Sequence, residues 1–213
     1  MHNGKEWFMP RTLLYALSVI AGYLLGSISV SILISSHIYH QDIRSAGSGN
    51  AGATNAARVF GMKAGVLTFL GDFLKTLLAL GVGSLLAGTT GACFSGAAAL
   101  IGHCFPVYYG FRGGKGVSTG AAVALCVDWR VFLAAMLVFA IAAYLSKRAS
   151  VASISAALVL TIGAALLAVS PAQRVLGIFA GVLVIFMHRS NIKRLLAGTE
   201  PQFHPGTSPN RKK

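Results

Sequence analysis

Long apolar runs, broken at short intervals by glycine-rich or basic clusters, make up most of the chain. A helix needs roughly 20 mainly apolar residues, at about 1.5 Å each, to cross the hydrocarbon of a bilayer. Six runs approach that length: 13–34, 64–87, 92–109, 131–146, 151–169 and 175–187. A seventh, 116–127, is short enough for a partial or re-entrant span. The first run has no cleavage-like tail and is too long for a secretory h-region, so it reads as a helix that stays. The pattern predicts an all-α membrane protein, a bundle of seven transmembrane helices.

Composition agrees. Apolar residues are 55% of the 213 and charged residues only 11%, where a soluble domain carries about 25% charged residues. That is too little charge to coat a water-facing surface, so lipid must cover much of it. The formal charge of +13 comes from 18 Lys and Arg against five acids. A basic excess can serve nucleic acid, anionic lipid or an anionic substrate. Here the basic residues sit at the ends of apolar runs instead of along one stripe, which argues against nucleic acid. With Lys75 set aside as lying within a span, seven crossings put 13 basic residues on one side: Arg44, Arg58, Lys63, Arg112, Lys115, Lys147, Arg148 and six from Arg189 onward. Four remain on the other: Lys5, Arg11, Arg130 and Arg174. Cytoplasmic loops collect Lys and Arg, so the N-terminus is expected outside and the C-terminus in the cytoplasm. Residues 1–198 read as one polytopic membrane domain, with 199–213 as a basic, disordered tail. The three cysteines, Cys93, Cys104 and Cys126, lie in apolar stretches without paired spacing and read as reduced thiols.

Four polar clusters interrupt the apolar chain, all on the expected cytoplasmic side. The first is Gly47-Ser48-Gly49-Asn50-Ala51-Gly52-Ala53-Thr54-Asn55, followed by Arg58 and Lys63. Glycines let backbone N–H groups turn toward an anion, as a helix N-terminus does. Thr54 and the asparagines add neutral hydrogen bonds, and Arg58 adds a fork suited to phosphate. The second is Gly102-His103-Cys104-Phe105-Pro106 with Phe111-Arg112-Gly113-Gly114-Lys115-Gly116. Its Gly113-Gly114-Lys115-Gly116 turn has the physics of a phosphate cradle but is no Walker A sequence, because no Ser or Thr follows the lysine. A basic turn at the membrane interface is the plainer alternative. The third, Ser150-Val151-Ala152-Ser153, is by itself no more than serines at a helix end. The fourth is His188-Arg189-Ser190-Asn191 with Lys193 and Arg194; a basic flank is ordinary, and only His188 and Asn191, sharing one helix face, ask for more. Within the second span, Asp72 and Lys75 are three apart and expected to pair, since a lone ion at mid-bilayer costs roughly 2.5–3.5 kcal/mol.

As a set, these motifs resemble one family: the integral membrane acyl-phosphate:glycerol-3-phosphate acyltransferases of bacteria, often called PlsY. The first cluster through Arg58, Gly71-Asp72-Phe73-Leu74-Lys75, Gly102-His103-x-x-Pro106 with the Gly113 to Gly116 turn, Ser150-x-Ala152-Ser153-Ile154 and His188-Arg189-x-Asn191 occur in the family's order, from about Gly22 to Leu196. The resemblance implies a seven-helix inner-membrane enzyme with its active site on the cytoplasmic side. It would transfer an acyl group from acyl phosphate to glycerol 3-phosphate, releasing lysophosphatidic acid and phosphate, with no metal or cofactor. Acyl-CoA and acyl-carrier protein are not the implied donors, and the peripheral enzyme that makes acyl phosphate is an implied partner. The implied catalytic residues are Asn50, Lys115, Ser153, His188 and Asn191. Substrate phosphate is assigned to Arg58 with Ser48, Gly49, Thr54, Asn55, Gly113, Gly114 and Gly116.

The residue types suit this chemistry. Two phosphate-bearing reactants need cations where water is scarce. An acyl phosphate is already activated, so alignment of a hydroxyl with its carbonyl matters more than a covalent intermediate. The motifs hold no paired carboxylates for acid–base work, and the donor's own phosphate is the expected proton acceptor. One further match, the His-x4-Asp spacing from His37 to Asp42, belongs to an unrelated class of glycerolipid acyltransferases and reads as coincidence. Transport is disfavoured because the polar groups gather at one interface instead of the midplane. A metal-dependent alcohol phosphatidyltransferase would need several helix aspartates where only Asp72 occurs.

Overall fold

The computed structural model of the chain describes residues 9–204, which form helices and loops with no strand among them. The first apolar run is not one continuous helix. It divides into α1 (Arg11–Ser27) and α2 (Val30–His37), with extended backbone at Ile28 and Ser29. The break exposes the Ile28 carbonyl, which accepts from Lys75 Nζ at 2.5 Å. After a loop comes α3 (Ala53–Phe60), ended by Gly61 at φ +97°.

The long helix α4 (Met62–Cys104) is helical in hydrogen bonding but departs from helical geometry at Ala87 and Gly88, the latter at φ +63°. Its two arms fold back on one another. Ser95 Oγ donates to the Ala79 carbonyl at 2.6 Å, and Gly83 and Gly91 meet so closely that a Cβ on either would overlap the other's carbonyl. The expected spans 64–87 and 92–109 are therefore the arms of a helical hairpin. Close backbone approach through small residues is how helices associate in lipid, where burial of apolar surface supplies no drive. The same device joins α1 to the return arm, with Gly22 against Ser95 and Gly26 against Ala99.

The chain continues through α5 (Val117–Val127), α6 (Trp129–Ser146), α7 (Ala149–Leu167), α8 (Pro171–Met187) and α9 (Arg189–Leu196). Asp128 caps α6 by accepting from Arg130 N at 2.7 Å. Ser170 and Gln173 form a reciprocal capping box with Pro171 in the first turn of α8. Gln173 also donates from Nε2 to the Cys126 carbonyl at 2.8 Å, tying the end of α5 to the start of α8. Between α8 and α9 the axis bends by 54° at His188.

Four stretches are long and apolar enough to cross a membrane: Arg11–His37, Met62–Tyr109 (which includes the hairpin), Trp129–Ser146 and Ala149–Leu167. The bent pair α8–α9 makes a fifth, and α5 is apolar but short. The core runs down the middle, where Leu80, Leu100, Val123, Val127, Val131, Leu160 and Leu176 pack with small residues between them. Outside, large side chains such as Leu85, Leu137, Leu166 and Val175 are more than half exposed, a surface suited to lipid and not to water. All three cysteines are free thiols. Of the expected disordered tail, the stretch from 205 onward lies outside the described residues, whereas its first residues pack against the bundle. Phe203 N donates to the Lys147 carbonyl at 2.8 Å, and Arg148 Nε donates to the Glu200 carbonyl at 3.0 Å.

Candidate active site

The four polar clusters come together at one end of the bundle, around a cavity of about 340 Å³. From the expected set, Ser48, Asn50, Thr54, Asn55, Arg58, Lys115, Ser153, His188 and Asn191 all line it. Gly49, Gly113, Gly114 and Gly116 do not. Deeper in the same cavity the walls turn apolar, with Phe69 from α4, Phe132, Met136 and Phe139 from α6, and Leu160 from α7.

Part of the amide cradle expected from the glycine loops is already engaged within the protein. Ser48 N donates to Asn55 Oδ1 at 2.9 Å, Gly49 N to the Ala46 carbonyl at 3.1 Å, and Ala51 N to Gly113 O at 3.4 Å. Gly114 N donates to His103 O at 3.0 Å. These N–H groups already have acceptors and cannot serve a phosphate without giving them up. The glycines instead permit conformation and contact. Gly47, Gly49 and Gly116 have φ of +60°, +69° and +83°, and a Cβ on Gly114 would lie 2.7 Å from His103 Cε1 and 2.8 Å from Ala51 O. Asn55, 1% exposed, gives its amide to the Ile43 and Ala46 carbonyls, so it holds the loop and has no donor left for substrate.

Unpaired amides come from helix first turns. Ala53 and Thr54 of α3, Val117 and Ser118 of α5, and Ala149 and Ser150 of α7 line the cavity, and first-turn N–H groups have no intrahelical acceptor. Three helix N-termini aimed at one space favour an anion there. Arg58, with no carboxylate partner among the described residues, adds a full charge, as does Lys115.

Lys115 Nζ donates to Asn191 Oδ1. Asn191 Nδ2 in turn donates to Glu200 Oε1 at 2.7 Å, and Glu200 Oε2 takes Arg194 Nε at 2.7 Å. Sequence reasoning missed Glu200, assigning it to the tail, although it is only 7% exposed and lines the cavity together with Arg194. Burial opposes its ionisation, but the Ser150 hydroxyl, the Asn191 amide and Arg194 hold its carboxyl below the usual range. Burial, with help from Arg194 and Arg58 and against the pull of Glu200, brings Lys115 down to about 8.

His188, 3% exposed, places Nδ1 2.8 Å from the Val184 carbonyl. A carbonyl only accepts, so Nδ1 carries the proton and Nε2 keeps its lone pair. Ser153 Oγ donates to the Ala149 carbonyl at 2.8 Å, which leaves its lone pairs for a donor in the cavity. Asn50 has no side-chain hydrogen-bond partner among the described residues and presents both amide functions. The His37–Asp42 pairing does not form: Asp42 binds the Arg44 guanidinium at 2.8–3.1 Å, and His37 Nδ1 faces the Leu33 carbonyl at 3.0 Å. Asp72 does pair with Lys75, at 2.8 Å.

The model of the glycerol-3-phosphate acyltransferase family matches residues 16–198. The chain belongs to that family. A glycerol-3-phosphate acyltransferase of Thermoanaerobacter sp. (strain X514) is 40% identical over 184 residues, covering 86% of this chain and 93% of that one. The same-named protein of Finegoldia magna is 41% identical over 182 residues, covering 85% and 92%. Among solved structures, the glycerol 3-phosphate form of PlsY (YgiH), an integral membrane glycerol 3-phosphate acyltransferase, superposes with a TM-score of 0.81 at 38% identity over 89% of this chain and 96% of that one. Its lysophosphatidic acid form gives a TM-score of 0.79 at 36% identity, covering 89% and 95%. Membership in the PlsY family makes this chain a membrane acyltransferase by homology, and the cavity lies where the four polar clusters meet.

Proposed function

We propose that the chain transfers an acyl group from acyl phosphate to glycerol 3-phosphate, forming lysophosphatidic acid and inorganic phosphate at the cytoplasmic face of the bacterial inner membrane. The observation that carries this reading is the two-sided cavity: Lys115, Arg58 and three helix N-termini at one end, an aromatic and aliphatic channel at the other. A phosphate-bearing head and an acyl chain fit such a space together. The solved relatives, in glycerol 3-phosphate and lysophosphatidic acid forms, support it.

In the reaction, a glycerol hydroxyl oxygen bonds to the acyl carbonyl carbon, the bond from that carbon to the phosphate oxygen breaks, and phosphate leaves with the electron pair. Lys115 and Arg58 offset the charge of the two phosphates, a contribution that grows where water is excluded. Asn50, Ser153 and Asn191 hold the reactants in line. The donor's own phosphate is one acceptor for the hydroxyl proton. The tautomer of His188 favours a second acceptor, since its Nε2 lone pair is available and its Nδ1–H is anchored. The pH–rate profile of His188→Gln separates the two: loss of a titration step assigns the proton to His188, and an unchanged profile leaves it with phosphate.

Seven crossings follow if the bent first stretch, both hairpin arms, α5, α6, α7 and α8 each traverse the bilayer. With the N-terminus outside, Arg58, Lys115, Arg148 and Arg194 are all cytoplasmic. The peripheral enzyme that makes acyl phosphate would meet the protein on that side. The deciding experiment gives purified protein glycerol 3-phosphate with acyl phosphate, acyl-CoA or acyl-carrier protein. Lysophosphatidate appears with acyl phosphate only; formation from either other donor and not from acyl phosphate overturns the reading.

A further inference from the structure

One group of buried charges borders the cavity without a part in the transfer as described. Asp72 and Lys75 on the first arm of α4 and His103 at the end of the return arm are 0%, 6% and 4% exposed. The Lys75 ammonium has three protons and three neighbours: Asp72 Oδ1 at 2.8 Å, the Ile28 carbonyl at 2.5 Å and His103 Nδ1 at 3.2 Å. An ammonium can only donate, so Nδ1 of His103 is an acceptor and the proton of the neutral ring sits on Nε2. Asp72 Oδ1 is 3.7 Å from Nδ1, too far to claim that proton.

The Nε2 edge points the other way. It lies against the Gly114 backbone, close enough that any side chain at 114 would strike it, and His103 is among the residues lining the cavity. Among the described residues Nε2–H has no hydrogen-bond acceptor. A donor left without a protein partner is free for a ligand, and here it borders the space that collects Lys115, Arg58 and the first turns of α3 and α5.

We propose that His103 is a phosphate-binding residue: its Nε2–H, fixed in that tautomer by the buried Asp72–Lys75 pair, donates to a phosphate oxygen of one of the two substrates. The proposal rests on the acyl-transfer reading for the identity of the phosphates. It gives the two cavity histidines opposite free edges, an N–H on His103 and a lone pair on His188, each set by what holds its Nδ1. It also accounts for an ion pair whose burial costs desolvation, because Lys75 and Asp72 serve as positioning residues for the ring.

Steady-state kinetics of three variants test it. His103→Ala should raise KM for one phosphate substrate about tenfold, with kcat within about threefold of wild type. His103→Gln, whose amide N–H reaches toward the same space, should recover most of that loss. Lys75→Met, with His103 intact, should raise the same KM, since the ring is then free to move its proton to Nδ1. Whether the KM for glycerol 3-phosphate or for acyl phosphate rises identifies whose phosphate is bound. An unchanged KM for both, or a fall in kcat alone, overturns the proposal. Should the Ala and Met variants fail to fold, nitrogen NMR of histidine-labelled wild type decides, with the His103 signals assigned by their loss in His103→Gln. A protonated Nε2 that shifts on adding inorganic phosphate supports it; a protonated Nδ1, or no shift at saturation, refutes it. This readout needs no turnover. A wild type that makes no lysophosphatidate from acyl phosphate would remove the functional reading and leave the phosphate shift to judge His103 separately.

Discussion

If the cavity holds two phosphates, Lys115 limits the pH range in which it can do so. Buried near Arg194 and Arg58, its ammonium titrates at about 8, whereas the arginines stay charged at any accessible pH. The sign follows directly: below about 8 the lysine is charged, and above it the cavity loses one positive charge. The second ionisation of a phosphate monoester, near 6, is complete by then and adds nothing to the change. If binding requires the ammonium, kcat/KM for glycerol 3-phosphate, which reports the free enzyme, stays level to about pH 8. It then falls about tenfold per pH unit, to roughly one-hundredth of the plateau near pH 10. A bound phosphate favours the charged lysine, so kcat should begin to fall at higher pH than kcat/KM. Lys115→Arg removes the ionisation and should abolish the alkaline fall. The assay follows initial rates of lysophosphatidate formation from labelled glycerol 3-phosphate, with spontaneous hydrolysis of the acyl phosphate subtracted at each pH. A profile flat from 8 to 10, or the same fall in Lys115→Arg, refutes the reasoning.

Other consequences can be checked in the same preparation. Glu200→Ala removes the carboxylate that anchors Asn191 and Arg194 at 2.7 Å each; activity should drop about 10- to 100-fold, the worth of hydrogen bonds to a charged group, and near-normal turnover would show that the anchor is dispensable. Gly114→Ala puts a Cβ 2.8 Å from Ala51 O and against the His103 ring, so thermal stability in detergent should fall by about 1–3 kcal/mol; an unshifted Tm counts against the packing described. For topology, single cysteines at Arg112 and Lys147 in a background lacking Cys93, Cys104 and Cys126 should label from the cytoplasm, and those at Arg130 and Arg174 from the opposite side. Labelling of all four from one side sinks the seven-crossing arrangement.

Much of the candidate site was legible because polar chemistry in lipid leaves a conspicuous trace. Polar residues are costly in so apolar a chain, and Asn50, Arg58, Lys115, Ser153, His188 and Asn191 stand out by chemistry and motif. What escaped depended on partner choice in three dimensions. Gly113-Gly114 and Gly47-Ser48-Gly49 look like amide cradles in one dimension, yet the Ser48, Gly49 and Gly114 N–H groups found acceptors in Asn55, Ala46 and His103. Glu200 looked like tail because prolines and basic residues follow it. A signal was present nonetheless: acids are so few that each described one, Asp42, Asp72, Asp128 and Glu200, is paired with a base. The break at Ile28 and Ser29 left no periodic mark, since it is held from outside by Lys75. The turn at Ala87–Gly88 was readable from the glycine and from the length of the two apolar runs.

The shortness of α5 governs how reactants arrive. Its 11 residues rise only about 16 Å, roughly half the hydrocarbon thickness, and Lys115 stands just before its first turn. If α5 is one of the seven crossings and Asp128 lies at the far surface, the floor of the charged chamber is sunk well beneath the level of the lipid headgroups. In that arrangement a water-soluble reactant would descend past Arg58 and Lys115 to reach it, while a chain-bearing one would lay its chain along the Phe69, Phe132 and Phe139 wall. One truncated helix would in this way sort the traffic by solubility, giving the soluble and the greasy partner separate routes to a common meeting point.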